Sequence, residues 1–158
     1  MKIAIGSDER THLTDFVVHD LQAQKHEVLL FGPLAENDPE GDWPLVSSHV
    51  AEAVASGQAD QGIVFCWTGT GAAIAANKVP GVRAALVHDA ETARGARIWN
   101  HANVLALSLR LTPVGVAKEI LDAWFTTSTA EGEAQSEWNL AQIARVAAIE
   151  KRYGGSSG

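Results

Sequence analysis

Apolar runs of strand length alternate with amphipathic helical segments along the whole chain, and this alternation most constrains the fold. The apolar runs cover residues 2–6, 27–31, 62–66, 82–87 and 103–108. Apolar residues recur at helical spacing in residues 12–24, 44–56, 72–78, 90–99, 113–125 and 134–152. Strands that are apolar on both faces are typical of a parallel sheet covered by helices on both sides. The sequence therefore predicts an α/β fold of three layers (α/β/α), with a five-stranded, parallel, doubly wound (Rossmann-like) sheet and an extended C-terminal helix.

One domain accounts for this pattern. A chain of 158 residues can bury roughly two thirds of its unfolded surface in a single core. No internal repeat or linker divides the sequence, so we expect one domain over residues 1–153. The closing residues 154–158, "GGSSG", are typical of a flexible tail of the kind that cloning adds.

Composition narrows the classes of function. Cys66 is the only cysteine and cannot form an internal disulfide, and the first apolar run is too short for a leader or a membrane span. We therefore expect a cytoplasmic protein with no membrane partner. Nineteen acidic residues against twelve basic ones give a net charge of −7 without a basic block. Because nucleic-acid binding needs a positive surface, nucleic acid is not an expected partner.

Polar residues follow three of the predicted strands at their carboxyl ends. These are "SDER" at residues 7–10, "CWTGTG" at residues 66–71 and "SLR" at residues 108–110. In doubly wound sheets, ligands bind outside the carboxyl ends of the strands, near the point where the strand order reverses. We therefore expect a pocket between the first two of these loops.

The loop at residues 66–71, which we call the catalytic loop, has two chemical interpretations. Glycines at 69 and 71 before a helix favour a nest of amide N–H groups that accepts phosphate, carboxylate or an oxyanion, although such glycines also occur simply to turn the chain. A thiolate at Cys66 is a competent base, and helix N-termini favour thiolates. Free cysteines are also among the most buried residues and often only fill space. The spacing alone leaves the choice between catalysis and packing open.

Two longer stretches resemble a known family. Residues 66–86, "CWTGTGAAIAANKVPGVRAAL", and 96–107, "ARIWNHANVLAL", are similar to ribose-5-phosphate isomerase type B and galactose-6-phosphate isomerase. Shorter matches are "GSD" at residues 6–8, "DWP" at 42–44, "DAW" at 122–124 and "AIEKR" at 148–152. A typical member reads C-G-T-G-x-G in the catalytic loop, where only the first glycine differs here. The matches follow the family's order over essentially the whole chain.

The resemblance implies an activity and an assembly. It implies aldose–ketose isomerisation of a small sugar through a cis-enediolate, without metal or cofactor, in a homodimer with a shared active site; whether dimers pair into tetramers stays open. By the same resemblance, Cys66 is the base, and Thr68 with the amides of Gly69, Thr70 and Gly71 stabilises the enediolate oxygen. Asp8 and Asn100 match ligands of the sugar hydroxyls, and Trp43 occupies the position of an aromatic residue.

Five positions depart from the family pattern. Glu9 stands where a histidine follows the first strand, and Trp99 replaces the histidine credited with opening the sugar ring. Glu133 and Glu137 replace two phosphate-binding arginines, and Trp67 replaces the loop glycine. Residues at i and i+4 share one helix face, so the two carboxylates are predicted to act together. The aromatic residues indicate a pocket remodelled for a less charged ligand, although any one tryptophan often packs in a core.

The glutamates bear on the substrate. A carboxylate about 6 Å from a phosphate costs about 3 kcal/mol per unit charge pair at an effective dielectric near 20. We therefore expect a sugar or sugar phosphate, with the unphosphorylated form favoured; a tetrose derivative or a free pentose or hexose fits. The alternative is that both glutamates form a solvated helical turn and that Arg10, Arg110 or Lys78 binds phosphate.

Two further questions stay open from the sequence. His101 and His12 are candidates to replace the missing ring-opening histidine, although each is also a common surface or capping residue. The second function to consider is a sugar-binding or regulatory homologue that keeps the fold and lacks turnover. Loss of two histidines and two arginines favours it, whereas retention of Cys66 and Thr68 favours the isomerase.

Overall fold

A computed structural model of the protein describes residues 1–154. It contains one sheet of five parallel strands: β1 (Lys2–Ser7), β2 (Glu27–Phe31), β3 (Gln61–Cys66), β4 (Ala84–Leu86) and β5 (Val104–Ser108). The strand order is β2-β1-β3-β5-β4, and every neighbouring pair is parallel. The predicted α/β fold with a doubly wound sheet is confirmed. Strand β4, at the edge of the sheet, has only three residues and is therefore shorter than the strand predicted at residues 82–87.

Within residues 1–154, six α-helices connect and flank the strands. They are α1 (His12–Ala23), α2 (Trp43–Ala55), α3 (Thr70–Ala76), α4 (Ala90–Asn100), α5 (Val114–Thr126) and α6 (Glu137–Gly154). Two short 3₁₀ turns occur at Gly32–Leu34 and Gly132–Gln135. The last helix runs one residue into the predicted tail, whose remaining residues 155–158 lie outside the described part.

Two apolar cores lie on the two faces of the sheet. Alternation along β1 places Ile3 and Ile5 in the core beneath α1, α4 and α5, and Ala4 in the core beneath α2 and α3. Trp124 of α5 is fully buried and donates its indole N–H to Gln61 Oε1 at 2.6 Å, so it is a core residue, as expected. Cys66 belongs to the core beneath α2 and α3.

Helix α6 differs from the other helices in its exposure. The prediction of a helix from residue 134 is wrong at its start: the chain first makes the 3₁₀ turn, and Ser136 is extended (φ −61°, ψ 145°) before α6 begins at Glu137. Asn139 is its only buried residue. Large apolar side chains project into solvent along the helix: Trp138, Leu140, Val146, Ile149 and Tyr153. No helix within residues 1–154 has the length and apolarity that a bilayer crossing needs.

Candidate active site

The strand order places the catalytic loop beside the loop after β1. The order reverses between β1 and β3, where Ser7 is in register with Phe65. Cys66 at the end of β3 is in turn in register with Ser108 at the end of β5. The carboxyl ends of β1, β3 and β5 are therefore adjacent, which is the position where doubly wound folds bind ligands.

The backbone of the catalytic loop requires glycine at one position. Gly69 has φ +77°, and a Cβ there would lie 2.6 Å from Leu86 Cδ1 and 2.9 Å from the carbonyl carbon of Leu107. Both the left-handed conformation and the crowding exclude a larger residue. The turn brings the Gly69 N–H back to the Cys66 carbonyl oxygen at 3.2 Å, and α3 begins at Thr70. Cys66 itself is 6% exposed, directly before this turn.

Hydroxyl groups and an indole surround the turn. The hydroxyls of Thr68 and Thr70 lie 2.7 Å apart, and both residues are exposed. The indole of Trp43, at the start of α2, covers Gly71 so closely that a Cβ there would lie 3.0 Å from Trp43 Cζ3. Trp67 is 59% exposed, while its carbonyl oxygen accepts hydrogen bonds from Ser108 Oγ and the Arg110 N–H. The loop is thus fixed to the end of β5, with the side chains of Trp67, Thr68 and Thr70 exposed and that of Cys66 buried.

Asp8 supplies an unsatisfied carboxylate oxygen at the neighbouring strand end. Its Oδ1 is buried, and no group within residues 1–154 forms a hydrogen bond to it. Burial raises the pKa of Asp8 above 3.8, and the negative charge of Glu9 adds to this effect, whereas a hydrogen bond from its own backbone opposes it. Glu9 is exposed and its backbone is held by Ser7 Oγ. A sugar hydroxyl that donates to Asp8 would satisfy the oxygen.

The remaining predicted site residues form a second group. Trp99 and Asn100 end α4, and the indole N–H of Trp99 donates to Glu133 Oε1 at 2.9 Å. Glu133 lies in the 3₁₀ turn, whereas Glu137 begins α6. The expectation that these two carboxylates share one helix face is therefore wrong, because the extended Ser136 separates the two elements.

One chain does not bring the two groups together. A helix that connects parallel strands runs back along the sheet, so α4 ends near Val104, at the amino end of β5. Cys66 lies beside Ser108 at the carboxyl end of the same strand. Four residue steps along a strand span about 13 Å. The backbone of Trp99 and Asn100 therefore lies at the amino ends of the strands, whereas the catalytic loop lies at their carboxyl ends.

The proposed substitute residues are mostly engaged elsewhere. His101 Nε2 donates to the Ala134 carbonyl oxygen at 2.9 Å, and Arg10 pairs with Asp15 at 2.8 Å. His12 is exposed at the start of α1. Lys78 lines a groove of about 720 Å³ between α6 and the segments before β4 and at the end of α4, together with Trp99, Asn100 and apolar α6 residues. Within residues 1–154, no three His, Cys, Asp or Glu side chains converge as metal ligands.

Two contributions were not visible in the sequence. Ser108 is fully buried and anchors the catalytic loop through its hydroxyl, although it is an inconspicuous residue at a strand end. Gly95 in the middle of α4 makes room for the Trp99 indole, since a Cβ there would lie 2.6 Å from Trp99 Cζ3. A glycine four residues before a tryptophan in a helix is a signal that could have indicated this contact.

Comparison with known proteins agrees with the fold and the loop. Residues 3–143 match the sequence profile of the family described as Ribose/Galactose Isomerase. A chain that matches this family over residues 3–143 is, by class, a sugar isomerase of the aldose–ketose type.

Individual relatives cover nearly the same span. Ribose-5-phosphate isomerase B of Escherichia coli is 35% identical over 153 residues, which are 96% of this chain and 97% of that protein. D-erythrulose-4-phosphate isomerase of Pectobacterium atrosepticum is 38% identical over 127 residues, which are 78% of this chain and 82% of that one. The solved ribose-5-phosphate isomerase B of Clostridium thermocellum superimposes with a TM-score of 0.86 at 38% identity, covering 97% of this chain and 99% of the other. The chain belongs to the ribose/galactose isomerase family.

Proposed function

We propose that the protein interconverts an aldose and a ketose through a cis-enediolate, with Cys66 as the base. The observation that carries this proposal is the place of Cys66, at a strand end directly before the Gly69 turn and beside the exposed Thr68 and Thr70 hydroxyls. Proton abstraction next to a carbonyl requires one base and donors aimed at the developing oxyanion. The catalytic loop offers both.

The steps assign each group a task. The thiolate of Cys66 removes the proton on C2 of the open-chain aldose, and the carbonyl oxygen on C1 becomes the enediolate oxygen. Thr68 and the amides of Gly69, Thr70 and Gly71 stabilise that oxygen. Asp8 accepts a hydrogen bond from a substrate hydroxyl, which satisfies its buried Oδ1. Protonation of C1 by the Cys66 thiol, with transfer of the O2 proton to O1, completes the ketose and restores the thiolate.

The assembly we propose is a homodimer in which the second copy completes each site. Two observations support it: Trp99 and Asn100 lie at the edge opposite Cys66, and α6 exposes a row of large apolar side chains. In the dimer we propose, a two-fold axis places the amino ends of the strands of one chain beside the carboxyl ends of the strands of the other. Asn100 of one copy then binds a hydroxyl of the sugar held by the catalytic loop of its partner.

The substrate we propose is a short or open-chain sugar without a strong demand for phosphate. The exposed carboxylates of Glu133 and Glu137 oppose an anionic group nearby. The indole N–H of Trp99 is engaged by Glu133, and an indole does not ionise near neutral pH, so Trp99 does not serve as the general acid or base of ring opening. The ring of His101 is held by a carbonyl oxygen. An acyclic sugar needs no group that opens a ring. The relative named for D-erythrulose 4-phosphate is named for a four-carbon ketose, whose C2 carbonyl has no O5 hydroxyl with which to close a furanose.

Hydrogen exchange at the reacting carbon tests this function against the sugar-binding alternative. Phosphorylated and free aldoses and ketoses of four to six carbons are incubated with the protein in deuterated water, and deuterium at C1 and C2 is followed by NMR. We expect exchange with wild type, and none above background with Cys66→Ala or the matched Cys66→Ser, whose hydroxyl is a poor base. If wild type shows no exchange above the level of the two variants and of a protein-free control for any sugar, the protein is a binding homologue and not an isomerase. Variants that exchange as fast as wild type, above that control, would instead refute Cys66 as the base.

A further inference from the structure

The Trp99 indole packs against its own helix at Gly95. A Cβ at position 95 would lie 2.6 Å from Trp99 Cζ3 and 2.9 Å from Cε3, so the ring occupies the space that any residue other than glycine would fill. Residues four apart on a helix lie one above the other. Gly95 therefore permits the ring to lie along α4.

Glu133 fixes the remaining freedom of that ring. Its carboxylate accepts the indole N–H at 2.9 Å, and the turn that carries it is itself anchored. Asn139 Nδ2 donates to the carbonyl oxygens of Ile98 and Ala134, at 2.8 and 3.0 Å, and His101 Nε2 donates to Ala134 as well. The His101 bond joins the turn directly to the end of α4, and the two Asn139 bonds join them through α6. One carboxylate oxygen of Glu133, Oε1, is therefore held in its hydrogen bond with the Trp99 indole.

The Trp99 side chain is also partly open to solvent. Trp99 is 46% exposed and borders two adjoining cavities, of about 720 and 390 Å³. The smaller one is also bordered by Leu86, Gly95 and Ala96. An indole face in a partly apolar cavity binds C–H groups well and offers no charge to an anion.

We propose that Glu133 is a positioning residue that holds Trp99, on Gly95, as a flat neutral platform for the C–H face of an uncharged polyol chain in the substrate. This proposal rests on the isomerase function above. It specifies which part of the substrate the second group of site residues, at the end of α4, recognises. Glu133 acts through the indole N–H and does not touch the sugar. The platform, defined as Gly95, Trp99 and Glu133, then selects for uncharged carbons beyond the reacting pair.

Steady-state kinetics with free D-erythrulose and free D-ribulose test the platform. We expect Trp99→Ala and Glu133→Ala to raise KM about five- to tenfold, with kcat within about twofold of wild type, because a stacking contact binds substrate and transition state alike. Glu133→Gln keeps an oxygen acceptor for the indole and should restore KM to within about twofold of wild type. Glu131→Gln, at an exposed neighbour in no described hydrogen bond, is the matched control and should leave both constants unchanged.

The outcomes separate this inference from the function itself. An unchanged KM in Glu133→Ala, or a Glu133→Gln variant as impaired as Glu133→Ala, would overturn the platform, because the acceptor and not the charge is at issue. If wild type turns over neither sugar, the isomerase function fails for these sugars. The platform is then read by saturation-transfer NMR with erythritol, whose C–H signals should weaken in Trp99→Ala; equal signals in both proteins refute it. If Trp99→Ala is too unstable to assay, Trp99→Phe takes its place. Phenylalanine keeps a ring but has no N–H donor, so its KM should lie between that of wild type and that expected for Trp99→Ala.

Discussion

The catalytic loop and the platform are built by different means. In the loop, backbone geometry decides the position of every group: Gly69 turns left-handed into a space with no room for a Cβ, and Ser108 holds the loop from the neighbouring strand. In the platform, side chains decide: an indole lies on a glycine and a carboxylate holds its N–H. A backbone-defined site tolerates little change, whereas a platform of side chains changes its ligand by substitution. On the function that we propose, this difference assigns the reaction chemistry to the loop and the choice of substrate to the platform.

Removal of the thiol that we propose as the base gives the largest expected effect and tests this division most directly. Cys66→Ala should lower kcat/KM by about 10³-fold on the best sugar of the panel, within the range for a general base. The thiol-to-methyl change at a residue 6% exposed leaves a small void, so the melting temperature should fall by only a few degrees. Kinetics and thermal unfolding of the same preparation check both. A loss of less than about tenfold, with Trp99→Ala worse than Cys66→Ala, would reverse the division.

Backbone crowding gives the second contrast. Gly69→Ala combines left-handed strain of about 1–2 kcal/mol with overpacking of about 1–3 kcal/mol, so we expect about 3 kcal/mol of lost stability. Gly132→Ala is the matched variant in the 3₁₀ turn before α6, where φ is +62° and a Cβ would meet nothing within 4 Å. It should lose only about 1 kcal/mol, from strain alone. Urea unfolding of the two variants measures the difference, and equal losses would mean that the Gly69 pocket yields easily.

The architecture was predictable where local sequence dictates it. The strand at residues 27–31 was predicted with the bounds that the structure has. A short apolar run between polar turns, in a chain that alternates strands and helices, predicts a buried strand. The start of α3 was not, since the helix begins at Thr70 on the left-handed Gly69 and not at residue 72. The adjacency of Asp8 and Cys66 follows from the doubly wound rule. The contact of Trp99 with Glu133 joins residues 34 apart, which no periodicity encodes.

Charge reversal near the platform should change substrate choice more than turnover. Glu137→Arg places a cation at the exposed start of α6 and leaves the Glu133 contact intact. We expect the ratio of kcat/KM for D-erythrulose 4-phosphate over free D-erythrulose to rise about tenfold, because repulsion is replaced by attraction. Glu137→Gln removes the charge only and should give about half of that effect in free energy. A ratio that stays constant across the three proteins would place the far end of the substrate away from α6.

The smallest expected effect concerns Asp8 and the cost of its burial. Burial raises the pKa of Asp8 above 3.8 in the folded protein, so the folded state binds this proton more tightly than the unfolded state does. The stability of wild type therefore falls as pH rises from the unfolded pKa through the raised folded one, and the penalty is fully present at neutral pH. Asp8→Asn carries no charge and escapes it. We expect its melting temperature to exceed that of wild type by roughly 2 °C at pH 7, with the difference shrinking towards pH 4, while its activity falls. Glu131→Gln, which removes an exposed carboxylate, should show no such trend. A wild type that is more stable than Asp8→Asn at pH 7 would mean that the loop after β1 satisfies this carboxylate without substrate, and the reaction half of the site would then be less dependent on its ligand than its geometry indicates.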